Sequence, residues 1–182
     1  CLPDGRFLVY SGNPDGYQNL ELLWAAFKRL NAQMPEVKLL ILSRANLEDF
    51  GAQAQKLVDE GSTFFRQYKT RREMVSYLRR AEVGLSTRVL ATGFPVKLIN
   101  YVQLGLKAVV VAKSLPSSAT PGVWLADSPP QGFAKTLEEA LDSPSVSGSE
   151  QGQMQMNPEL YDKVYRTVIR RFTSKPSQGQ LS

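Results

Sequence analysis

The feature that most constrains this chain is one block near its middle, residues 81–112, AEVGLSTRVLATGFPVKLINYVQLGLKAVVVA. A short apolar run at 83–85 ends in the small polar pair Ser86 and Thr87. A segment holding Thr92 and Gly93 follows. Pro95 opens a helix that Gly105 stops, and a β-rich run at 108–112 comes next. Strand, loop, helix and strand within about thirty residues make a βαβ unit. In such a unit the strands run parallel and the loop opens at the carboxyl edge of the sheet, where ligands of open α/β sheets bind. The same loop feeds a helix N-terminus, whose free amide N–H groups attract anions.

The flanking sequence repeats this grammar. Residues 7–10 form an apolar run that meets the turn-rich SGNPDG of 11–16. Asn19 is placed to cap a helix whose apolar stripe is Leu20, Leu23, Trp24, Phe27 and Leu30, and Pro35 closes that region. A second buried-strand candidate, 37–42, ends at Ser43 and Arg44. Asn46, with Asp49 three residues on, opens a helix carrying Leu47, Phe50, Ala54 and Leu57 or Val58, and Gly61 ends it. Residues 63–65 read as a short third strand. Thr70 and Glu73 have capping-box spacing ahead of a helix with Met74, Tyr77 and Leu78 inward. Beyond the central block, 95–104 is its helix, 123–125 reads as a sixth strand and 133–141 as a short helix.

Strands alternate with helices, and the apolar runs lack the alternation of a half-exposed strand. The expected fold class is therefore α/β, a Rossmann-like three-layer α/β/α arrangement on a mostly parallel sheet. Residues 142–157, DSPSVSGSEQGQMQMN, have little to bury and are expected to be a mobile loop. Asn157 as cap and Pro158 as first helical residue start a last helix over 158–172, and 173–182 is a polar tail. One domain is expected to span 1–172.

Composition removes several functions. At 182 residues and 42% apolar content, the chain can bury one core and is too short for two full Rossmann-like domains. No apolar run approaches the ~18 residues of a membrane span. The start, CLPDGRFLVY, lacks the basic and long apolar regions of a secretion signal, so a cytoplasmic location is expected, with attachment to the inner membrane face left open. Cys1 can form no internal disulfide, and is either a native start or a fragment boundary. There is no histidine, which excludes Ser-His-Asp triads and most catalytic zinc sites from these residues. Asp49 and Glu82 lie on different elements, and Glu138 and Glu139 are neighbours that do not face each other. No acid–base pair, metal site or resident cofactor is expected. Net charge is +5, with basic clusters at 66–80 and 163–171. Helices carry such faces for solubility, and no aromatic residues interleave with these arginines, so nucleic acid is not the expected partner.

The candidate ligand residues lie where strands end. Gly12, in the turn after the first strand, allows close backbone approach, with Asn13 beside it. Hydroxyls of Ser86, Thr87 and Thr92, the backbone near Gly93, and the charges of Arg88 and Lys97 are the mixture that a diphosphate requires. Asn100 lies about one helical turn after Lys97 and can hydrogen-bond a sugar hydroxyl. Tyr68 can stack on a base. Arg44 can reach a phosphate.

These residues sit in a recognisable frame. The chain resembles the C-terminal, nucleotide-sugar-binding domain of GT-B glycosyltransferases in the large retaining group called group 1 or family 4. The likeness runs from FLVYSGNPDGYQNLELLWAAF through PEVKLLILS and FFRQYKTRREMVSYLRRAEVGLSTRV to TGFPVKLINYVQLGLKAVVVA. It is most specific at Pro95, Lys97, Leu98, Asn100, Tyr101, Gly105, Lys107, Ala108, Val109 and Val110. The resemblance implies one half of a GT-B fold, a nucleotide-sugar donor as substrate, and an N-terminal acceptor-binding domain as partner. The implied task is donor binding for transfer of a sugar to an acceptor hydroxyl, with the isolated chain inactive. The family's two acidic positions fall on Thr92 and Asn100, and its basic pair falls near Asn13 and at Gln18. An amide at Asn100 keeps a ribose contact without the charge-assisted part, ~1 kcal/mol. These departures leave two alternatives: a non-catalytic nucleotide- or partner-binding domain that retains the fold, and a sugar-nucleotide epimerase of GT-B type.

Overall fold

The computed structural model describes residues 2–88, 96–114 and 122–144. Cys1, Thr92, Gly93, Pro95, most of the expected loop, the 158–172 helix and the polar tail lie outside the described residues. The strands are β1 (Phe7–Ser11), β2 (Lys38–Ser43), β3 (Thr63–Gln67), β4 (Val83–Ser86), β5 (Lys107–Val111) and β6 (Val123–Ala126). The helices are α1 (Leu20–Gln33), α2 (Ala52–Asp59), α3 (Arg71–Leu78), α4 (Val96–Gln103) and α5 (Pro130–Asp142). All strand pairs are parallel, in the order β3-β2-β1-β4-β5-β6.

Alternate strand residues feed two cores. Leu8, Tyr10, Leu39, Ile41, Val83, Leu85, Val109 and Val111 pack beneath α1, α2 and α5. Phe7, Val9, Leu40, Leu42, Ala108 and Val110 pack beneath α3 and α4. Burial on both faces is why the strand sequences read as continuous apolar runs. The chain leaves β1 in one direction, towards β2 and β3, and returns to β4 on the other side of β1. The strand order therefore reverses between β1 and β4, which leaves a crevice at their carboxyl ends.

Local chemistry sets the boundaries. Thr70 accepts the Glu73 backbone N–H, and Glu73 answers at the Thr70 backbone, the capping box its spacing implies. Gly105, at φ +67°, ends α4: its N–H donates to Val102 O, and the Leu106 N–H to Tyr101 O. Three sequence expectations are corrected. Asn19 occupies the position before α1, but it is left-handed (φ 49°) and makes no side-chain cap. The helix expected from Asn46 is broken. Asp49 Oδ2 accepts the Asn46 N–H over one tight turn, Glu48–Phe50, and Gly51 at φ +83° separates that turn from α2. Asp142, placed in the loop by composition, belongs to α5.

Candidate functional site

The carboxyl edge gathers most of the expected residues. β1 delivers Ser11 and Gly12, β4 delivers Ser86, Thr87 and Arg88, and α4 contributes Lys97. Lys97 reaches across the crevice from the α4 face. Its Nζ lies 4.0 Å from the centroid of the Tyr10 ring and donates to Gln18 Oε1 at 2.8 Å. Gly12 leaves room for this close approach: a Cβ there would stand 3.0 Å from Lys97 Nζ and crowd it. With φ at +152°, Gly12 also holds a backbone shape that side chains rarely adopt.

Electrostatics follow from this placement. Burial first, and then the charge of Arg88, lower the Lys97 pKa to about 7, against the opposing pull of Asp15. Burial likewise raises the Tyr10 hydroxyl above its ordinary value. Among the described residues, no carboxylate comes within ion-pair distance of Lys97. An anion entering the crevice therefore meets a cation held by an amide and a π face rather than by a competing acid.

The turn Gly16–Gln18 closes over the same crevice. Thr87 Oγ1 donates to Gln18 O at 2.7 Å, and the Arg88 guanidinium lies 5.1 Å from the centroid of the Tyr17 ring. Tyr17, among the few exposed large side chains, donates to Asp15 Oδ2. Ser86 Oγ is fully buried with no hydrogen-bond partner among the described residues. Asn13 is held by β2, where Ser43 Oγ donates to its Oδ1 at 3.2 Å.

Arg44 and Tyr68 meet each other instead, at the ends of β2 and β3, with the guanidinium 5.4 Å from the ring centroid. Asn100 is half-buried on α4. Thr92 and Gly93 lie outside the described residues.

Sequence reasoning missed three partners: Gln18, Tyr10 and Tyr101. Gln18 was visible only as an uncharged residue at a basic position of the family. Tyr10 looked like core. Tyr101 pairs with Gly84, where a Cβ would lie 2.5 Å from the tyrosine ring, and an isolated glycine within a strand run was the available signal.

The model of the family "Glycosyl transferases group 1" matches residues 2–157. The chain belongs to this family. No curated protein matches the sequence. Among solved structures, this glycosyltransferase domain is similar to α,α-trehalose 6-phosphate synthase from Burkholderia multivorans, with TM-score 0.65 and 15% identity over 92% of this chain and 43% of that one. It is similar to the pneumococcal O-GlcNAc transferase GtfA in complex with UDP and GlcNAc, with TM-score 0.65 and 15% identity over 93% of this chain and 37% of that one. A variant of S. aureus TarM, in complex with fondaparinux, α-GlcNAc-glycerol and UDP, gives TM-score 0.69 and 12% identity over 93% of this chain and 36% of that one. At these identities the likeness establishes the fold, that of one Rossmann-like half of a GT-B glycosyltransferase. The chain spans about two fifths of the length of these structures. No helix among the described residues is long and apolar enough to cross a membrane.

Proposed function

We propose that this glycosyltransferase domain binds a nucleotide-activated sugar in the β1–β4 crevice, as the donor half of an enzyme that transfers the sugar to an acceptor hydroxyl. The observation that carries this reading is the Lys97 ammonium, drawn over Gly12 at the switch point of the sheet with no carboxylate among the described residues within ion-pair distance. Gly12 lets a phosphate approach the backbone. Lys97 and Arg88 offset charge that grows on the diphosphate as the glycosidic bond breaks. Acceptor binding falls to a second domain, as the sequence resemblance implies. Both GtfA and the TarM variant hold UDP, which supports a nucleotide ligand for this fold.

A second reading has its own support. Asn100 and Thr92 stand where the family resemblance implies acids, and this favours a domain that binds the donor or a partner without turnover. Calorimetric titration of the 182-residue chain with UDP, GDP and ADP tests the proposal. Saturable binding of one nucleotide, weakened roughly 100-fold in Lys97→Met, is the expected result. No heat with any of the three at millimolar concentration refutes donor binding. Robust sugar transfer by the chain alone refutes the division of labour between domains.

A further inference from the structure

The Tyr101 hydroxyl is fully buried and touches both strands of the switch point. The β1–β4 pairing ends at Tyr10↔Leu85. Directly beyond that pair, the hydroxyl accepts the Ser11 backbone N–H at 3.0 Å and donates to Leu85 O at 3.3 Å. Ser11 Oγ lies 2.9 Å away. With the phenolic proton directed at Leu85, the Ser11 hydroxyl is the donor in that third bond. One oxygen atom thus ties the last residue of β1 to the end of β4.

The ring beneath it has no slack, because it occupies the space that a side chain at position 84 would need. A phenylalanine would fill the same volume. The hydroxyl therefore adds direction rather than packing. Lys97 and Tyr101 are four residues apart on α4 and share one helix face, so whatever fixes the ring also fixes where Lys97 leaves the helix. Lys97 passes close over Gly12 to reach Tyr10 and Gln18, so the direction in which it leaves α4 sets where its ammonium rests.

We propose that Tyr101 is the positioning residue of the crevice: its hydroxyl locks the ends of β1 and β4 and the roll of α4, and thereby seats the Lys97 ammonium over Gly12 for a donor phosphate. This rests on the donor-binding reading and extends it. The groups that face Lys97 are Tyr10 and Gln18 from the β1 side, Asp15 in the turn between them, and Arg88 beyond β4. Only a seated Lys97 feels the burial that lowers its pKa to about 7, so its titration reports the seat.

The test compares the full chain with Tyr101→Phe by NMR titration of the Lys97 side chain and by calorimetry with UDP. In the variant the Lys97 midpoint is expected to rise towards the ordinary lysine range, and UDP binding to weaken roughly tenfold. The circular dichroism spectrum is expected to be retained. An unchanged midpoint with unchanged affinity overturns the proposal. If the parent chain binds no UDP, GDP or ADP, the donor-binding reading fails by itself, and the Lys97 midpoint still decides the role of Tyr101. Should Tyr101→Phe not fold, Ser11→Ala takes its place. That variant removes one of the three bonds and leaves the ring, so a raised Lys97 midpoint supports the proposal and an unmoved one overturns it. A packing role alone is separated by Gly84→Ala/Tyr101→Leu, which refills the notch without the hydroxyl. A folded double variant with full UDP affinity also overturns the proposal.

Discussion

The two edges of this sheet treat positive charge in opposite ways. At the amino edge, Arg6 makes a forked contact with Glu82, at 2.9 Å and 3.0 Å, and donates to Leu141 O. Lys107, buried, donates to Ala140 O and Ser143 O at the end of α5. These cations face a carboxylate or the unpaired carbonyls and negative dipole end of a helix. At the carboxyl edge, Lys97, Arg88 and Arg44 lie over the rings of Tyr10, Tyr17 and Tyr68. A cation on a π face keeps most of its field and gives up only about 1–2 kcal/mol when an anion draws it away. One edge sets its cations against oxygen acceptors of the fold, and the other lays them on aromatic faces, the arrangement on which the proposed donor site rests.

Substitutions at the two lysines are the sharpest way to break this contrast. Lys97→Met is expected to weaken UDP binding roughly 100-fold, while the unfolding free energy at pH 7 does not fall, since a costly buried charge is removed. A stability loss matching the affinity loss would place Lys97 with the structural cations. Lys107→Met is expected to do the reverse. It strands carbonyls at the end of α5 and costs about 2 kcal/mol in urea unfolding, with UDP affinity unchanged. Weakened UDP binding in Lys107→Met would dissolve the distinction between the edges.

The pH dependence of stability sharpens it further. The folded-state pKa of Lys97 is lowered to about 7, and burial lowers Lys107 as well. Above about pH 7 the unfolded chain binds more protons than the folded one until its free lysines titrate near pH 10. Stability therefore rises with pH across that window, by at most ~1.4 kcal/mol per pH unit for each proton. Tyr10 and Tyr101 act oppositely: burial raises both, Tyr101 to about 12, so unfolded tyrosines ionise first and stability falls above about pH 10. Urea unfolding across this range is expected to show a maximum near pH 10, and Lys97→Met to flatten the rising limb. A rising limb of unchanged slope would show that Lys97 is not buried as a charge. Arg44→Ala has the smallest effect, below ~0.5 kcal/mol in stability with a few-fold loss of UDP affinity. No change in affinity would restrict the ligand edge to β1 and β4.

Much of the fold was legible because its instructions are local. The 108–112 run reads as a buried strand without knowledge of its neighbours, and β5 is Lys107–Val111. Thr70 and Glu73 specify their cap within four residues, as Gly105 specifies the end of α4. The break at Gly51 was missed because the apolar stripe of Phe50, Ala54 and Leu57 continues through it, although the backbone does not. That Gly12, Ser86, Thr87, Arg88 and Lys97 share the carboxyl edge was legible from their positions at strand ends and on the following helix. Gln18 and Tyr10 were not, because their meeting with Lys97 spans about eighty residues of sequence, and the separation of Lys97 from Gln18 is 79.

An alternating α/β chain, its parallel sheet, its family and the residues that end its strands can all be read from the sequence. Each of those follows from short-range patterns of burial, capping and turn residues. Only the tertiary structure decided which cations are spoken for. Strand order brings Glu82 to Arg6 and the end of α5 to Lys107, and it lays Lys97 across Gly12 onto Tyr10. Whether a charge stabilises the fold or waits for a ligand depends on what stands within a few ångströms of it, and distant parts of the chain supply those neighbours.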